Sequence, residues 1–391
     1  MPRVFQWAKA HATLAGVVLI VISVLCAGTL AEALTRLVLT VRGHYPQKDP
    51  ILHHSLKPHA QMKRVESEFQ VVYRINRHGL RDEEIRLPKP PQVFRILMVG
   101  DSFTFGVGVE LHATFTKQLE ALLNQPGSGG HYEVLNGGCS SYSPILEYLF
   151  LVQKGLALAP DLVILNYDLS DVQDDYQYSQ IAEFDRDGRP LRVHPLNVQW
   201  YYREERKRFR SALPLLERSA LYQGLREAYV LWQNRRDAAV MYEAAQAIAG
   251  NIAFDRDLPL REHVDWQPYF EHSTRYISMI AELLQGQGIG FLVTTYPYGV
   301  LVSAQEWRVG RQLRGFDNRV YTTRLFDYMA AFCQANNIPY LNTLPDFLRA
   351  DTFPLFYPYD GHFTPNGHRV MAQALARFLR EKHLLDKSLH G

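Results

Sequence analysis

From residue 94 onward, short apolar runs alternate with stretches whose apolar residues recur every three or four positions. Residues 94–100 read as a strand. Residues 115–123 place Phe115, Leu119, Leu122 and Leu123 on one face of a helix. Residues 132–136 form a second strand backed by a helix over 146–158, and 162–165 a third, introduced by Pro160-Asp161. The pattern resumes with a helix around 276–284, a strand over 290–296, a helix over 323–334 and a strand over 339–341. Thr364-Pro365 then supplies an N-cap and a first-turn proline for a helix reaching about residue 382. This alternation predicts an α/β fold: a three-layer α/β/α sandwich on a mostly parallel sheet of about five strands. Chemistry in such sheets collects outside the carboxyl ends of the strands.

Two regions depart from the pattern. Residues 12–31 are uncharged and mostly apolar, and about 20 helical residues cover the roughly 30 Å of a bilayer core. A single N-terminal transmembrane helix is therefore expected within residues 1–40. Ala31-Glu-Ala33 offers a rival reading as a signal-peptide cleavage site, but the apolar run is longer than such peptides need. Arg3 and Lys9 before the span nearly balance Arg36, Arg42 and Lys48 after it, so charge does not set the orientation. Residues 41–92 read as a linker with a small strand extension: Pro46, Pro50 and Pro58 mark the linker, and Phe69–Ile75 alternates as a strand closed by a turn at 76–79. The main domain is predicted over 93–385, interrupted by a helical insertion over about 176–270. Within that insertion, the basic run 203–210 reads as a solvated helix face, with a lid or an anion-facing surface as alternatives.

Composition adds little beyond exclusions. A formal net charge of +2 gives no electrostatic case for nucleic acid. Of three cysteines, Cys26 lies in the span, while Cys139 and Cys333 are either buried thiols or one bridge. Gly106-Val-Gly108 lacks the remaining residues of a dinucleotide fingerprint and reads as a flexible turn. No Walker motif or Gly-x-Ser-x-Gly elbow is present.

The candidate chemistry lies at the two ends of the βα region. Gly100-Asp101-Ser102 ends the first strand, and Asp360-Gly361-His362 precedes the last helix. A serine at a sheet rim, a histidine to take its proton and an aspartate to hold the imidazole are the parts of a hydrolytic triad. Asp168 and Asp171 read as solvated turn residues, with tuning of the flanking site, or metal binding together with Asp174 and Asp175, as the less favoured alternatives. His44, His53, His54 and His59 read as solvated linker residues, and His368 as a helix residue facing away from the triad or capping locally. No metal and no cofactor is predicted. Tyr296-Pro-Tyr298 stands at a strand end, as a groove lining or as packing.

These residues resemble the SGNH (GDSL-type) hydrolase superfamily over about 76–368. Val99-Gly-Asp-Ser-Phe-Thr-Phe-Gly106 is similar to its nucleophile block, and Asp360-Gly-His-Phe-Thr-Pro-Asn-Gly-His368 to its Asp-x-His block. Asn76-Arg-His-Gly-Leu-Arg81 resembles a segment that precedes the domain in many bacterial members. The resemblance implies Ser102, His362 and Asp360 as triad and an oxyanion hole from the Ser102 backbone N–H and two further donors. The family's second block uses a glycine N–H, where this chain has Ser141, with Gly138 as the other alignment. Its third block uses an asparagine amide, where this chain has Ser170. The implied activity is a serine esterase acting on O-acyl, chiefly O-acetyl, esters of cell-envelope or exported carbohydrate. Three alternatives stand beside it: an O-acyltransferase of the same fold with an acyl-donor membrane partner, a degenerate carbohydrate-binding or scaffold protein, and a lipase using the insertion as a lid. Anchored relatives place the domain outside the cytoplasm, on one side of a single-pass membrane anchor.

Overall fold

A computed structural model describes residues 16, 18–34, 46–127, 130–195, 219, 222, 265–313 and 321–386. The chain divides into two compact units, one of residues 1–42 and 203–248, the other of residues 43–202 and 249–391. In the first, residue 16 and residues 18–34 are helical, and Leu19, Ile20, Val24, Leu25 and Leu30 are 62–65% exposed. Among the described residues no helix is long and apolar enough to cross a membrane. Most of the insertion, including the basic run 203–210, lies outside the described residues.

The second unit is built on five parallel strands in the order β11-β10-β7-β5-β6, namely Tyr340–Asn342, Gly290–Thr295, Leu162–Tyr167, Val93–Gly100 and His131–Asn136. All eight residues of β5 are buried, as a central strand covered on both faces requires. The main helices are α1 (Ser102–Phe105), α2 (Phe115–Leu123), α3 (Pro144–Phe150), α4 (Asp171–Ser179), α5 (Gln267–Gln285), α6 (Arg324–Ala335) and α7 (Pro365–Glu381); short helices also cover Gly299–Val302, Arg308–Leu313 and Leu344–Leu348. From β5 the chain steps one way to β6 and then back across β5 to β7. Right-handed crossovers therefore put α2 on one face and α3, α4 and α5 on the other, and α7, after the last strand, packs beside α2. The observed packing is the same: α2 touches α7, while α5 touches α3 and α4. The sheet thus changes direction at β5, and Ser102 follows β5 at that switch point.

The expected elements are present with small changes of length. The helix behind β6 runs as α3, then a wider turn over Leu151–Gly155 and a tighter one over Leu156–Leu158, until Ala159 turns left-handed at φ 53°. Thr364 caps α7 through the N–H of Gly367, with Pro365 in the first turn.

Several expectations need correction. The region read as a linker with one strand forms two antiparallel hairpins, β1 (Pro46–Asp49) with β2 (His53–Leu56) and β3 (Gln61–Val65) with β4 (Gln70–Arg74), of which β4 is the strand expected over 69–75. His53 and His54 are buried rather than solvated: His54 Nε2 donates to the Ser140 carbonyl at 2.8 Å, and Tyr142 Oη donates to the His54 carbonyl at 2.8 Å. Burial holds His54 down to about 3. The insertion opens not with helix alone but with α4 and a hairpin of β8 (Ala182–Phe184) and β9 (Pro190–Val193). Cys139 and Cys333 are free, buried thiols.

Candidate active site

Ser102 is the first residue of α1, whose N-cap, Asp101, accepts the Phe103 N–H at 2.9 Å. The cap turns the chain sharply out of β5 and lifts Ser102 to the carboxyl edge of the sheet. Its hydroxyl lies 2.8 Å from His362 Nε2 and 3.2 Å from Asp101 Oδ2. On the other side of the ring, His362 Nδ1 is hydrogen-bonded to Asp360 Oδ1. The structure therefore joins Ser102, His362 and Asp360 into one hydrogen-bonded line. Phe103 and Phe363 pack beneath it, with the Phe103 ring 4.8 Å from the imidazole.

The loop that carries Asp360 and His362 is tightly closed. Tyr357 N–H donates to the His362 carbonyl at 2.8 Å, and Gly361 N–H to the Tyr357 carbonyl at 3.1 Å. Gly361 is required at φ 93°, because a Cβ there would stand 2.6 Å from Trp307 Nε1. Glu306 adds a buried carboxylate that accepts the Leu355 and Phe356 N–H groups at 2.9–3.1 Å. Burial alone would raise the Asp360 carboxyl, but the His362 imidazole bonded to it and the Arg64 guanidinium bring it down to about 2.

The two middle positions behave differently. Ser141 adopts φ +59°, the left-handed region that a glycine would enter without cost. The Tyr178 hydroxyl holds its carbonyl at 2.9 Å, and its N–H has no backbone acceptor among the described residues. The N–H of Gly138 is bound to Asn136 Oδ1 at 3.0 Å, and a Cβ on Gly138 would come within 2.3 Å of the Phe105 nitrogen. Gly138 serves close packing against α1, and Ser140 and Ser141 are the residues of this turn whose N–H groups have no backbone acceptor among the described residues. Ser170 is buried, and its hydroxyl lies 2.6 Å from Asp168 Oδ2 and 3.2 Å from Asp174 Oδ2. Its single proton is directed at carboxylates, so the structure does not bring Ser170 into contact with Ser102. Asn166 is fixed inside β7 between the Val99 carbonyl and Thr294.

Beneath the nucleophile lies a group of buried acids that sequence reasoning placed in solvent. Tyr296 Oη donates to Asp101 Oδ1 and Tyr298 Oη to Asp168 Oδ2, each at 2.9 Å. The tyrosines thus brace the acids behind Ser102 instead of simply lining a groove. Burial, then the nearby Asp168, pushes Asp101 up to about 7. Asp171 and Glu147 are raised well above the usual carboxylate range, again by burial first. No group of three or more potential ligands that could hold a metal ion occurs among the described residues. His368 is buried and accepts the Phe115 N–H at 3.1 Å, capping α2 rather than its own helix.

Asp175 belongs to this group and gives a pH test. It accepts Ser143 Oγ and the Ile145 N–H through Oδ1, and Ser273 Oγ through Oδ2. Burial raises it from 3.8 to about 7. The folded state thus holds the proton longer than the unfolded state, so this stabilisation is complete below 3.8 and lost as pH rises through about 7. Between pH 6 and 8 the loss is about 1.4 kcal/mol. An asparagine can keep all three contacts without ionising. Asp175→Asn is therefore expected to melt above wild type already at pH 6, and by several degrees more at pH 8. Parallel pH-dependence of the two melting temperatures would refute this.

Residues 257–390 match the family model described as "SGNH hydrolase-like domain, acetyltransferase AlgX", a stretch that includes Asp360 and His362 but not Ser102. No curated protein matches the chain by sequence. Among solved structures, a catalytic mutant of the acetylxylan esterase Axe2 from Geobacillus stearothermophilus is 12% identical with a TM-score of 0.39, covering 73% of this chain and 94% of that one. A GDSL-like lipase from Bacteroides thetaiotaomicron is 12% identical with a TM-score of 0.33, covering 74% and 88%. The acetyl xylan esterase AlAXEase is 13% identical with a TM-score of 0.36, covering 72% and 98%.

Proposed function

We propose, for a chain that carries an SGNH hydrolase-like domain and is an SGNH-type esterase or O-acyltransferase, that Ser102 breaks or moves O-acetyl esters of carbohydrate. The observation that carries this reading is the line Ser102 Oγ–His362 Nε2, His362 Nδ1–Asp360 Oδ1. Ser102 Oγ attacks the ester carbonyl carbon as its proton passes to His362 Nε2. Asp360 fixes the tautomer and stabilises the imidazolium. The oxyanion forms against the backbone N–H groups of Ser102 and Ser141. His362 then protonates the departing alkoxide, and the acyl group remains on Ser102. Water resolves it in an esterase, and a sugar hydroxyl in a transferase. The acetyl group is favoured by the acetyltransferase match, and carbohydrate by the family resemblance. Residues 12–31 act as an anchor that holds the domain outside the cytoplasm, with an acyl donor reaching it from a membrane partner in the transferase case.

A binding or scaffold role is favoured by one observation: the Ser170 hydroxyl points to Asp168 and Asp174, leaving a third oxyanion donor unsupplied. A missing donor costs about 10²–10³ in rate. That slows the reaction but does not abolish it. The test is p-nitrophenyl acetate turnover and fluorophosphonate labelling of the full-length protein in mild detergent, beside Ser102→Ala. Turnover and labelling that both vanish in the variant support the serine enzyme. Equal behaviour of the two proteins refutes it in favour of binding. Addition of oligosaccharide acceptors then separates hydrolysis from transfer.

A further inference from the structure

The β3–β4 hairpin lies outside the motif blocks, yet it reaches the Asp360 loop across nearly the whole chain. Glu68, in the turn joining its strands, accepts the Tyr359 N–H through Oε1 and the Asp360 N–H through Oε2, both at 2.8 Å. One carboxylate gripping two consecutive backbone N–H groups fixes the orientation of the peptide that presents Asp360. Arg64, on β3, places Nη2 3.8 Å from Asp360 Oδ2, the oxygen that His362 does not use. Its own position is set by Glu66 at 3.0 Å and by the Phe69 ring. Phe69 packs on Tyr357 at 5.1 Å, and the Tyr357 hydroxyl bonds the Gly108 carbonyl at 2.9 Å, beyond the end of α1. The hairpin is thus coupled to both ends of the Ser102–His362–Asp360 line.

We propose that Arg64 and Glu68 are positioning residues of the active site: Glu68 holds the backbone of Asp360, and Arg64 supplies the charge that balances its carboxylate. This rests on the triad reading above. The imidazolium formed during attack is held by Asp360, whose charge Arg64 partly offsets. Without Arg64 the ion pair tightens, and the acid limb of the rate profile moves to higher pH. The other titratable groups facing the pair are Glu68, Asp101 from the nucleophile turn, Tyr73 from β4, Tyr357 of the loop itself and His368 from α7. All of these remain in the Arg64 variants.

The experiment uses the full-length protein with p-nitrophenyl acetate, following kcat/KM from pH 5 to 9, with fluorophosphonate labelling as a second readout. Arg64→Met is expected to move the acid limb upward by roughly half a unit to one unit, and Arg64→Lys to restore most of it. Glu68→Ala is expected to lower kcat about 10–100-fold with KM changed less than about threefold. Melting curves accompany each variant. If Glu68→Ala fails to fold, the partly exposed Arg64 carries the test. Superimposable profiles for wild type and Arg64→Met, with labelling intact, overturn the inference and leave the triad standing. A wild type that neither labels nor turns over removes the triad reading, and this inference with it.

Discussion

Asp360→Asn is expected to reduce kcat about 10³–10⁴-fold while leaving the melting temperature within a few degrees of wild type. The carboxylate accepts from His362 twice, through the ring Nδ1 and the backbone N–H. An amide whose oxygen takes the place of Oδ1 can keep both contacts, but it carries no charge to stabilise the imidazolium. It can also present an NH₂ group to Nδ1, which selects the tautomer that cannot take the Ser102 proton. The backbone of residue 360 stays held by Glu68, so the loop has no reason to unfold. Steady-state turnover of p-nitrophenyl acetate with parallel melting curves checks both halves. Retention of a tenth or more of wild-type kcat would remove Asp360 from the mechanism.

The largest stability effect is expected at Arg81. The guanidinium is buried, stacks between the Tyr73 and Phe105 rings at 4.5 and 4.9 Å, and donates to the carbonyls of Phe105, Gly106 and Val109. These carbonyls close the segment that follows α1, so one side chain ties the nucleophile turn to the strand extension. Arg81→Met keeps much of the apolar stem but leaves the carbonyls without the donor they share. A loss of about 3–5 kcal/mol is expected, read as a fall in the urea midpoint, with any p-nitrophenyl acetate turnover lost at the same midpoint. A midpoint unchanged from wild type would show that water replaces the guanidinium at little cost.

What was legible in the sequence followed from regular periodicity. The strand over 93–100 is one apolar run, and α7 announces itself through Thr364 and Pro365. The candidate site was legible because the two blocks that hold Ser102 and Asp360–His362 are short and local. The first hairpin was not, because Pro-Gln-Lys-Asp and His-His-Ser-Leu carry no alternation, and His54 is covered by a partner far along the chain, the Ser140 carbonyl. The acids beneath Ser102 were misjudged for a related reason. A run such as Asp171 to Asp175 reads as solvated unless Ser143, Ser273 and Tyr298, scattered through the sequence, are known to converge on it and on Asp168. Glu68 offered no local signal, since its partner stands 292 residues away.

That separation bears on when the protein becomes reactive. Ser102 and the base that activates it are 260 residues apart, and the loop bearing the base is closed by contacts to β3–β4, the turn at Trp307 and α7. A chain emerging at roughly 5–20 residues per second would display its serine turn for about 10–50 s before the histidine existed to deprotonate it. During synthesis the hydroxyl is an ordinary alcohol. If the triad reading holds, the hydroxyl gains its base only once the loop bearing His362 has docked.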